Sequence, residues 1–588
     1  MLLRLTPCVQ PSLRALSICC LLLIASSCAV AQANPSSPNA FVEQLRQQER
    51  ERVMRAQQER AIDSRRQELL APDAQRLPAS EFPCFRIDHL VLAGERADEF
   101  QWMLEAAGGP DASDSAIGRC IGTRGVDVVM ARLQQAIIAK GFVTTRVLAA
   151  RQDLSAGTLT VTLVSGRIAA IRATPDSSTG LGGDRALLSG AIPARPGDLL
   201  NLRDIEQGLE NFKRVPTAEA DIRIEASPSP DARPGDSDLV VTYVQRRKLR
   251  GTLSLDDSGT ETTGRYQAGA TVSADNLLGL NDLFYVNANH SIDGHFLGNP
   301  NRGTESQTVH YSLPRGYWLL GFTASNSQYR QTVAGANAGI VYAGKSRNAE
   351  VRLSRLIHRD QHRKTTLAIR AFQRQSRSFG DGAEISIQHR VIAGWEAALS
   401  HREFIGQATV EGTLALRQGT GAFGAERAPE EQFDEGTSRF RLVAADVSLN
   451  APFKLGAQKF RYVGQWRAQW NRTQLTPQDR FAIGGRYTVR GFDGETSLLG
   501  DRGWLLRSDV GWAAGASGAE LYVGIDYGRV GGKSAAGLLG HHLAGGVVGV
   551  RGAWGGLNCD LFAGVPLSKP EGYRTSRVTT GLNLNFSF

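Results

Sequence analysis

The run Gly339-Ile-Val-Tyr-Ala-Gly344-Lys345-Ser346 has the glycines, lysine and serine of a phosphate-binding loop at the right spacing. Such a loop works because backbone amides and a helix N-terminus converge on phosphate oxygens, so it must join a strand to a helix. Here Glu350 to Leu356 alternate apolar and polar as a strand does, which predicts a chance match. His358 and His362 stand four apart and His541 and His542 are adjacent. A metal at the first pair would want a helix and a third ligand, and the pattern offers neither, so loop or lumen histidines are expected. The sequence has no Gly-x-Ser-x-Gly elbow, no zinc-type cysteine spacing and no paired acid and base. The reading is a non-enzyme without metal or cofactor.

The segment that carries function is Phe481 to Glu495. It is long, yet holds Phe481, Ile483, Tyr487, Val489 and Phe492, too many apolar side chains for a solvated loop. It should pack somewhere protected, and that would carry Arg490, between Val489 and Gly491-Phe492, out of water. A desolvated guanidinium needs a carboxylate. Asp526 is the candidate, on the polar parity of a strand between Gly524 and Gly528, whose bare backbones leave room for a loop to approach.

The elements around these residues alternate with period two. From Val578 to Phe588, Val578, Thr580, Leu582, Leu584, Phe586 and Phe588 share one face, opposite Thr579, Gly581, Asn583, Asn585 and Ser587. Phe460 to Asn471, Trp504 to Trp512 and Leu521 to Gly528 repeat the pattern. Arg461, Arg467 and Arg507 fall on the polar faces. One greasy face and one charged face, recurring, predict a transmembrane antiparallel β-barrel with a wet lumen. With 64 glycines and a mean hydropathy of −0.23, the chain lacks the long apolar runs of helical spans. Residues 250–588 hold about sixteen strands of ~10 residues.

Arg4 and Arg14 precede an apolar stretch and then Ala29-Val30-Ala31-Gln32-Ala33, a secretory signal over 1–33 with cleavage after Ala31 or Ala33. Four of seven cysteines fall in it. Of the remaining three, Cys84 and Cys120 are expected to form a disulfide in the oxidising compartment, and Cys559 shares parity with apolar neighbours and should face lipid. The net charge of +9 therefore reads as lumen charge, and no nucleic-acid partner is expected.

Residues 39–70 are strong helix formers without an apolar stripe, the pattern of a solvated or bridging helix. Pro72, Pro78 and Pro83 bracket a linker. Two modules follow, each ordered β-α-α-β-β: a strand at Phe85–Leu92, helices near 97–107 and 124–140, and strands near 143–149 and 158–164; then a strand at Gly166–Ala173, helices near 183–190 and 202–212, and strands near 220–227 and 238–245.

Val489-Arg490-Gly491-Phe492 resembles the signature of the superfamily of outer-membrane insertases and polypeptide transporters, and Gly524-Ile525-Asp526-Tyr527-Gly528 its matching wall motif. The two modules resemble polypeptide-transport-associated (POTRA) domains. Residues Asn201 to Pro216 are similar to the second POTRA of two-partner secretion outer-membrane transporters, and the Cys84/Cys120 pair resembles a feature of their haemolysin and contact-dependent-inhibition branch.

The resemblance implies a sixteen-stranded pore (248–588) preceded by a signal peptide (1–33), a plug helix (34–72), a linker (73–82), POTRA 1 (83–166) and POTRA 2 (167–247). It implies a barrel in the bacterial outer membrane with the POTRA pair in the periplasm. Implied partners are a large secreted exoprotein, recognised through its N-terminal secretion domain; outer-membrane lipids; and the barrel assembly machinery, for which Phe588 would be the C-terminal signal. The alternative is an assembly factor that inserts other barrels; such insertases often carry more POTRA units and lack the plug helix.

Overall fold

The computed structural model describes residues 38–59, 62–64, 76–109, 111, 114–178, 183–293, 301–334, 338–515 and 518–588. The signal expected over 1–33, the ends of the 34–72 segment (34–37 and 65–72) and residues 73–75 of the linker lie outside them.

Helix α1 spans Pro38–Gln58. The expectation of a helix to residue 70 is corrected here: it ends at Gln58, and Asp63-Ser64 has left the helical path. The wall captures that segment. Lys364 and Arg402 pair with Asp63 at 2.7 and 3.0 Å, and Arg359 donates to the Ser64 carbonyl.

The first α+β domain comprises β1 (Phe85–Arg86), β2 (His89–Gly94), a 3-10 helix (Ala97–Gly108), β3 (Cys120–Ile121), α2 (Thr123–Ala139), β4 (Arg146–Leu148) and β5 (Thr158–Val164). The single strand expected over 85–92 is split at Ile87-Asp88, because its first part pairs with β3 and its second with β5. Leu159, Val161 and Leu163 alternate inward from β5 onto Val129, Leu133 and Ile137 of α2. Cys84 and Cys120 are joined as a disulfide that ties the β1 end of this domain to β3.

The second domain comprises β6 (Arg167–Ala173), α3 (Gly183–Ala191), α4 (Leu202–Lys213), β7 (Ala218–Ala226) and β8 (Asp236–Gln245). Asn201 caps α4 by accepting from the Arg203 amide, an interaction typically worth ~1 kcal/mol. The face formed by Ile205, Leu209 and Phe212 is buried against the sheet β6-β8-β7.

The remaining strands are β9 (Leu249–Asp256), β10 (Gln267–Asp275), β11 (Leu283–Ser291), β12 (Gly303–Arg315), β13 (Trp318–Ala334), β14 (Gly339–Arg359), β15 (Arg363–Gly380), the short β16 (Ala383–Glu384), β17 (Arg390–Ile405), β18 (Ala408–Thr420), β19 (Arg441–Leu455), β20 (Gln458–Asn471), the loop pair β21 (Phe481–Ile483) and β22 (Leu498–Gly500), β23 (Arg502–Ala513), β24 (Ala519–Gly531), β25 (His542–Trp554), β26 (Leu557–Ser568) and β27 (Thr579–Ser587). Sixteen long antiparallel strands close into a barrel, with β16 only extending the β15–β17 hairpin. The closing pair is β27 with β9, from Asn583 opposite Asp256 to Ser587 opposite Thr252. Phe588 completes it: its amide and carbonyl exchange hydrogen bonds with Gly251, each 3.0 Å, and its ring covers that glycine.

The alternation sorts the two faces as its period requires. Leu521, Val523 and Ile525 are exposed outside, while Tyr522, Gly524 and Asp526 are buried inside. Arg461, Arg467 and Arg507 point inward to Glu520, Glu49 and Asp526. Cys559 is a half-buried free thiol on the outward parity, beside exposed Leu557 and Leu561. Residues 339–346 are extended and paired with β13, so the phosphate-loop pattern lacks the loop and helix it would need.

Candidate functional site

The connection between β20 and β23 turns into the barrel instead of leaving it. The β21–β22 ladder carries it across the far mouth, from the end opposite the α+β domains, and residues 484–497 form the tip. Ile483, Val489, Phe492 and Leu498 are buried there with Val530, Leu543 and Tyr573 of the wall and the last loop. Phe492 meets Tyr573 edge-on at 5.8 Å. Tyr573 donates to the Thr496 carbonyl, and Asp493 accepts from the Ser576 amide and hydroxyl at 2.7 and 2.9 Å. The apolar residues that looked out of place in a loop are thus a small core inside the lumen.

That core aims Arg490 at the wall. Its Nε and Nη2 donate to the two oxygens of Asp526, both at 2.7 Å, and its backbone amide donates to Oδ2 at 2.9 Å. The guanidinium is 3 % exposed and the carboxylate 0 %. Sequence reasoning paired Arg490 with one carboxylate; the structure corrects this to two. Asp509 on β23 accepts from Nη2 at 2.5 Å and Nη1 at 3.3 Å. Asp509 stands directly across from Gly524, and Arg551 reaches it from the other side at 3.4 Å. The signal that could have found it is its lumen parity one strand from Asp526. Arg507 stands 3.8 Å from Asp526 and Arg551 also pairs with Glu520, so three cations meet three carboxylates and the cluster stays near neutrality, as burial of charge requires.

Glycines make the approach possible. Gly491 has φ +94, a conformation that suits only glycine, and a Cβ there would stand 2.5 Å from the Val565 carbonyl. A Cβ on Gly524 would meet Asp509 at 2.3 Å, and one on Gly528 would meet Ile483 and Val489 at 2.9 Å. Gly545 and Gly564, which sequence reasoning missed, lie equally close to Arg490 and Gly491.

Helix α1 occupies the lumen beside the tip. Arg467 grips Glu49 through two bonds of 2.9 and 2.5 Å, Arg52 meets Asp446 at 2.6 Å, and Arg55 meets Glu350 at 2.5 Å. Thr263 donates to Glu43, and Arg46 donates to the Gly494 carbonyl of the tip at 2.7 Å. Phe41 and Val42 are its buried apolar residues. A helix polar all round suits this place because its sides meet either the polar wall or the open lumen. A cavity of about 970 Å³ remains between the helix, the tip and the wall.

At the near mouth α4 docks on the barrel. Arg359 at the end of β14 is buried between Glu206 and Glu210, and Lys364 bridges Glu210 to Asp63. Asn211 donates to the Gly316 carbonyl in the β12–β13 turn at 2.8 Å. Asp63 and Ser64 therefore lie between α4 and the barrel rim.

The family described as haemolysin secretion/activation protein ShlB/FhaC/HecB matches residues 235–552, and POTRA domain families match 110–166 (the ShlB type) and 167–226. The chain is 36% identical over 572 residues to the outer membrane transporter CdiB-2 of Burkholderia pseudomallei (strain 1026b), covering 95% of each. It is 27% identical over 569 residues to the outer membrane transporter CdiB of Dickeya dadantii (strain 3937), covering 95% of this chain and 96% of that one. Among solved structures, CdiB from Acinetobacter baumannii matches with a TM-score of 0.81 at 29% identity, over 93% of this chain and 99% of its own.

Proposed function

The chain belongs to the ShlB/FhaC/HecB family of haemolysin secretion/activation proteins, and from that premise we propose that it is a pore which secretes one large exoprotein by two-partner secretion. The barrel spans the bacterial outer membrane and the two POTRA domains stand in the periplasm. The observation that carries the reading is a polar helix seated in the lumen of a sixteen-stranded barrel and tethered beside the second POTRA domain.

In this reading α1 seals the resting pore, and its ion pairs are of a kind that a passing unfolded polypeptide can replace. The edge strands β2 in one POTRA sheet and β7 in the other offer backbone to the exoprotein's N-terminal secretion domain as sites for added strands. The Arg490–Asp526–Asp509 cluster holds the loop tip against the wall so that the channel keeps its shape during passage. Folding of the passenger outside supplies direction without ATP. The passenger is a haemolysin, an adhesin or a contact-dependent growth-inhibition toxin. Outer-membrane lipids surround the barrel, and the barrel assembly machinery inserts it by way of the strand ending at Phe588.

Co-expression with a candidate exoprotein, followed by assay of the medium, tests this directly. The exoprotein should appear outside the cell only when this chain is present. Its retention in the periplasm while the barrel is folded in the outer membrane would overturn the secretion role for that partner.

A further inference from the structure

Strands β13, β14 and β15 are 17, 21 and 18 residues long, whereas β9, β10 and β11 are 8, 9 and 9. A strand crosses the hydrocarbon with about 9–11 residues, so one side of the barrel stands well above the membrane. Its outer surface is layered. Nearest the periplasm, Trp318, Phe322, Val351, Leu353, Leu367 and Ile369 are exposed as an apolar band. Arg355 stacks on Trp318 at the lower rim.

Above the band the same outward parity turns polar. One rung places Asn326, Arg347 and Gln375 side by side, the next Gln328, Lys345 and Arg377, and the third begins with Arg330. Neighbouring strands are about 4.8 Å apart and outward residues on one strand about 6.8 Å apart, so these four cations share a single patch. Arg330, Lys345, Arg347 and Arg377 are all exposed, and among the described residues none is ion-paired. Lys345 sits 5.4 Å over the Phe379 ring. Of the bordering carboxylates, Glu305 is engaged by Gln328, Asp381 at the hairpin tip accepts from the Val341 amide, and Glu384, across from Phe379, lies 3.9 Å from His389.

The inner face of these strands is treated differently. Arg370 meets Glu350 and Glu396, and Arg374 meets Asp479. Arg370 and Arg374 are neutralised within the chain and Arg352 faces the lumen cavity, while the outward cations stand at the level where an outer leaflet has its headgroups. Guanidinium and ammonium groups at this spacing suit phosphate oxygens.

We propose that the upper outer face of β13–β15 is a binding site for the phosphate-bearing headgroup of an outer-leaflet glycolipid. It rests on the outer-membrane placement of the barrel and adds a particular lipid contact on one side of the wall. The site fixes the height of the tall wall, so the barrel sits in the leaflet at one orientation.

The test uses the full mature chain in non-ionic detergent, with bisphosphorylated lipid A, dephosphorylated lipid A and inorganic pyrophosphate as probes, read by native mass spectrometry. R330Q/K345Q/R347Q/R377Q should bind bisphosphorylated lipid A at least tenfold more weakly than the unaltered chain. The control R315Q/R355Q, at the periplasmic end of the same wall, should bind normally. The double variant K345Q/R377Q, expected to lose several-fold, serves if the quadruple variant fails the heat-modifiability check for a folded barrel. Equal binding by a folded variant, or by dephosphorylated lipid A, would overturn the site. Pyrophosphate binding as tight as that of lipid A would overturn the lipid assignment. Membrane fractionation of the same variants separates these outcomes from failure of the outer-membrane reading, which would show as the unaltered chain missing from that fraction.

Discussion

Two segments enter the lumen from opposite ends, and they are held by different physics. The loop tip carries Ile483, Val489 and Phe492 into a small apolar core, and Arg490 is 3 % exposed between two carboxylates, while the tip's other cation, Arg486, pairs with buried Asp257. Helix α1 makes more polar contacts, buried at Glu43 and Arg50 but wetter in its ion pairs to the wall: Arg52–Asp446 is 45 and 30 % exposed and Arg467–Glu49 is 17 and 24 %. Partly solvated pairs are worth ~0–1 kcal/mol each, because water competes for both partners. Breaking one side of a dry pair strands the other charge, at ~3–5 kcal/mol. The number of contacts is therefore a poor guide to which segment can move. This difference underlies the proposal that the tip stays in place while the helix leaves.

The hardest test of that contrast is Arg490→Ala. It should reduce secretion at least tenfold while the barrel still inserts and shows heat-modifiable migration on gels. Asp526→Ala should match it, and the double variant should add little, since both act through one contact. Asp509→Ala should be milder, because Arg490 keeps both Asp526 oxygens. Additive defects in the Arg490/Asp526 cycle would dissolve the claim that the tip is held by this cluster.

Next in size is removal of residues 38–58. Single-channel conductance in planar bilayers should rise several-fold with the tip still in place, and unchanged conductance would deny α1 a sealing role. A third variant sharpens the contrast by touching neither segment. Cys84→Ser with Cys120→Ser should lower the unfolding free energy of the first POTRA domain by about 3–4 kcal/mol, the chain-entropy value for a loop of this length. Denaturation of the domain followed by circular dichroism reads this, and barrel conductance should not change. The smallest effect belongs to Glu49→Gln, which should cost under ~1 kcal/mol and raise the frequency of brief openings. The increase should shrink in high salt, which screens the pair it removes. A salt-independent effect as large as that of Arg490→Ala would make the two segments equivalent.

The barrel was legible because each strand answers to lipid on one face and water on the other, so a single strand such as Leu521–Gly528 displays its orientation. Asp526 was legible for a related reason: the glycines that flank it on the same face mark an approach. Asp509, Gly545 and Gly564 were not, because their closeness to Arg490 depends on cross-strand register, which no one strand contains. The end of α1 was hidden too. The residues after Gln58 have the composition of those before it, and what draws Asp63 out of line is a set of cations some three hundred positions away.

The clamp on Asp63 and Ser64 also sets a leash. Five residue steps separate Gln58 from Asp63, and they span at most about 17 Å when fully extended. If α1 leaves the pore as proposed, its Gln58 end stays within that reach of the pore mouth for as long as Lys364, Arg402 and Arg359 keep their grip. Resealing is then an intramolecular event, governed by an effective concentration on the order of millimolar, as a short tether provides. How fast the pore closes behind its passenger becomes a property of those few residues, adjustable by their number and stiffness, and independent of how much protein the membrane holds.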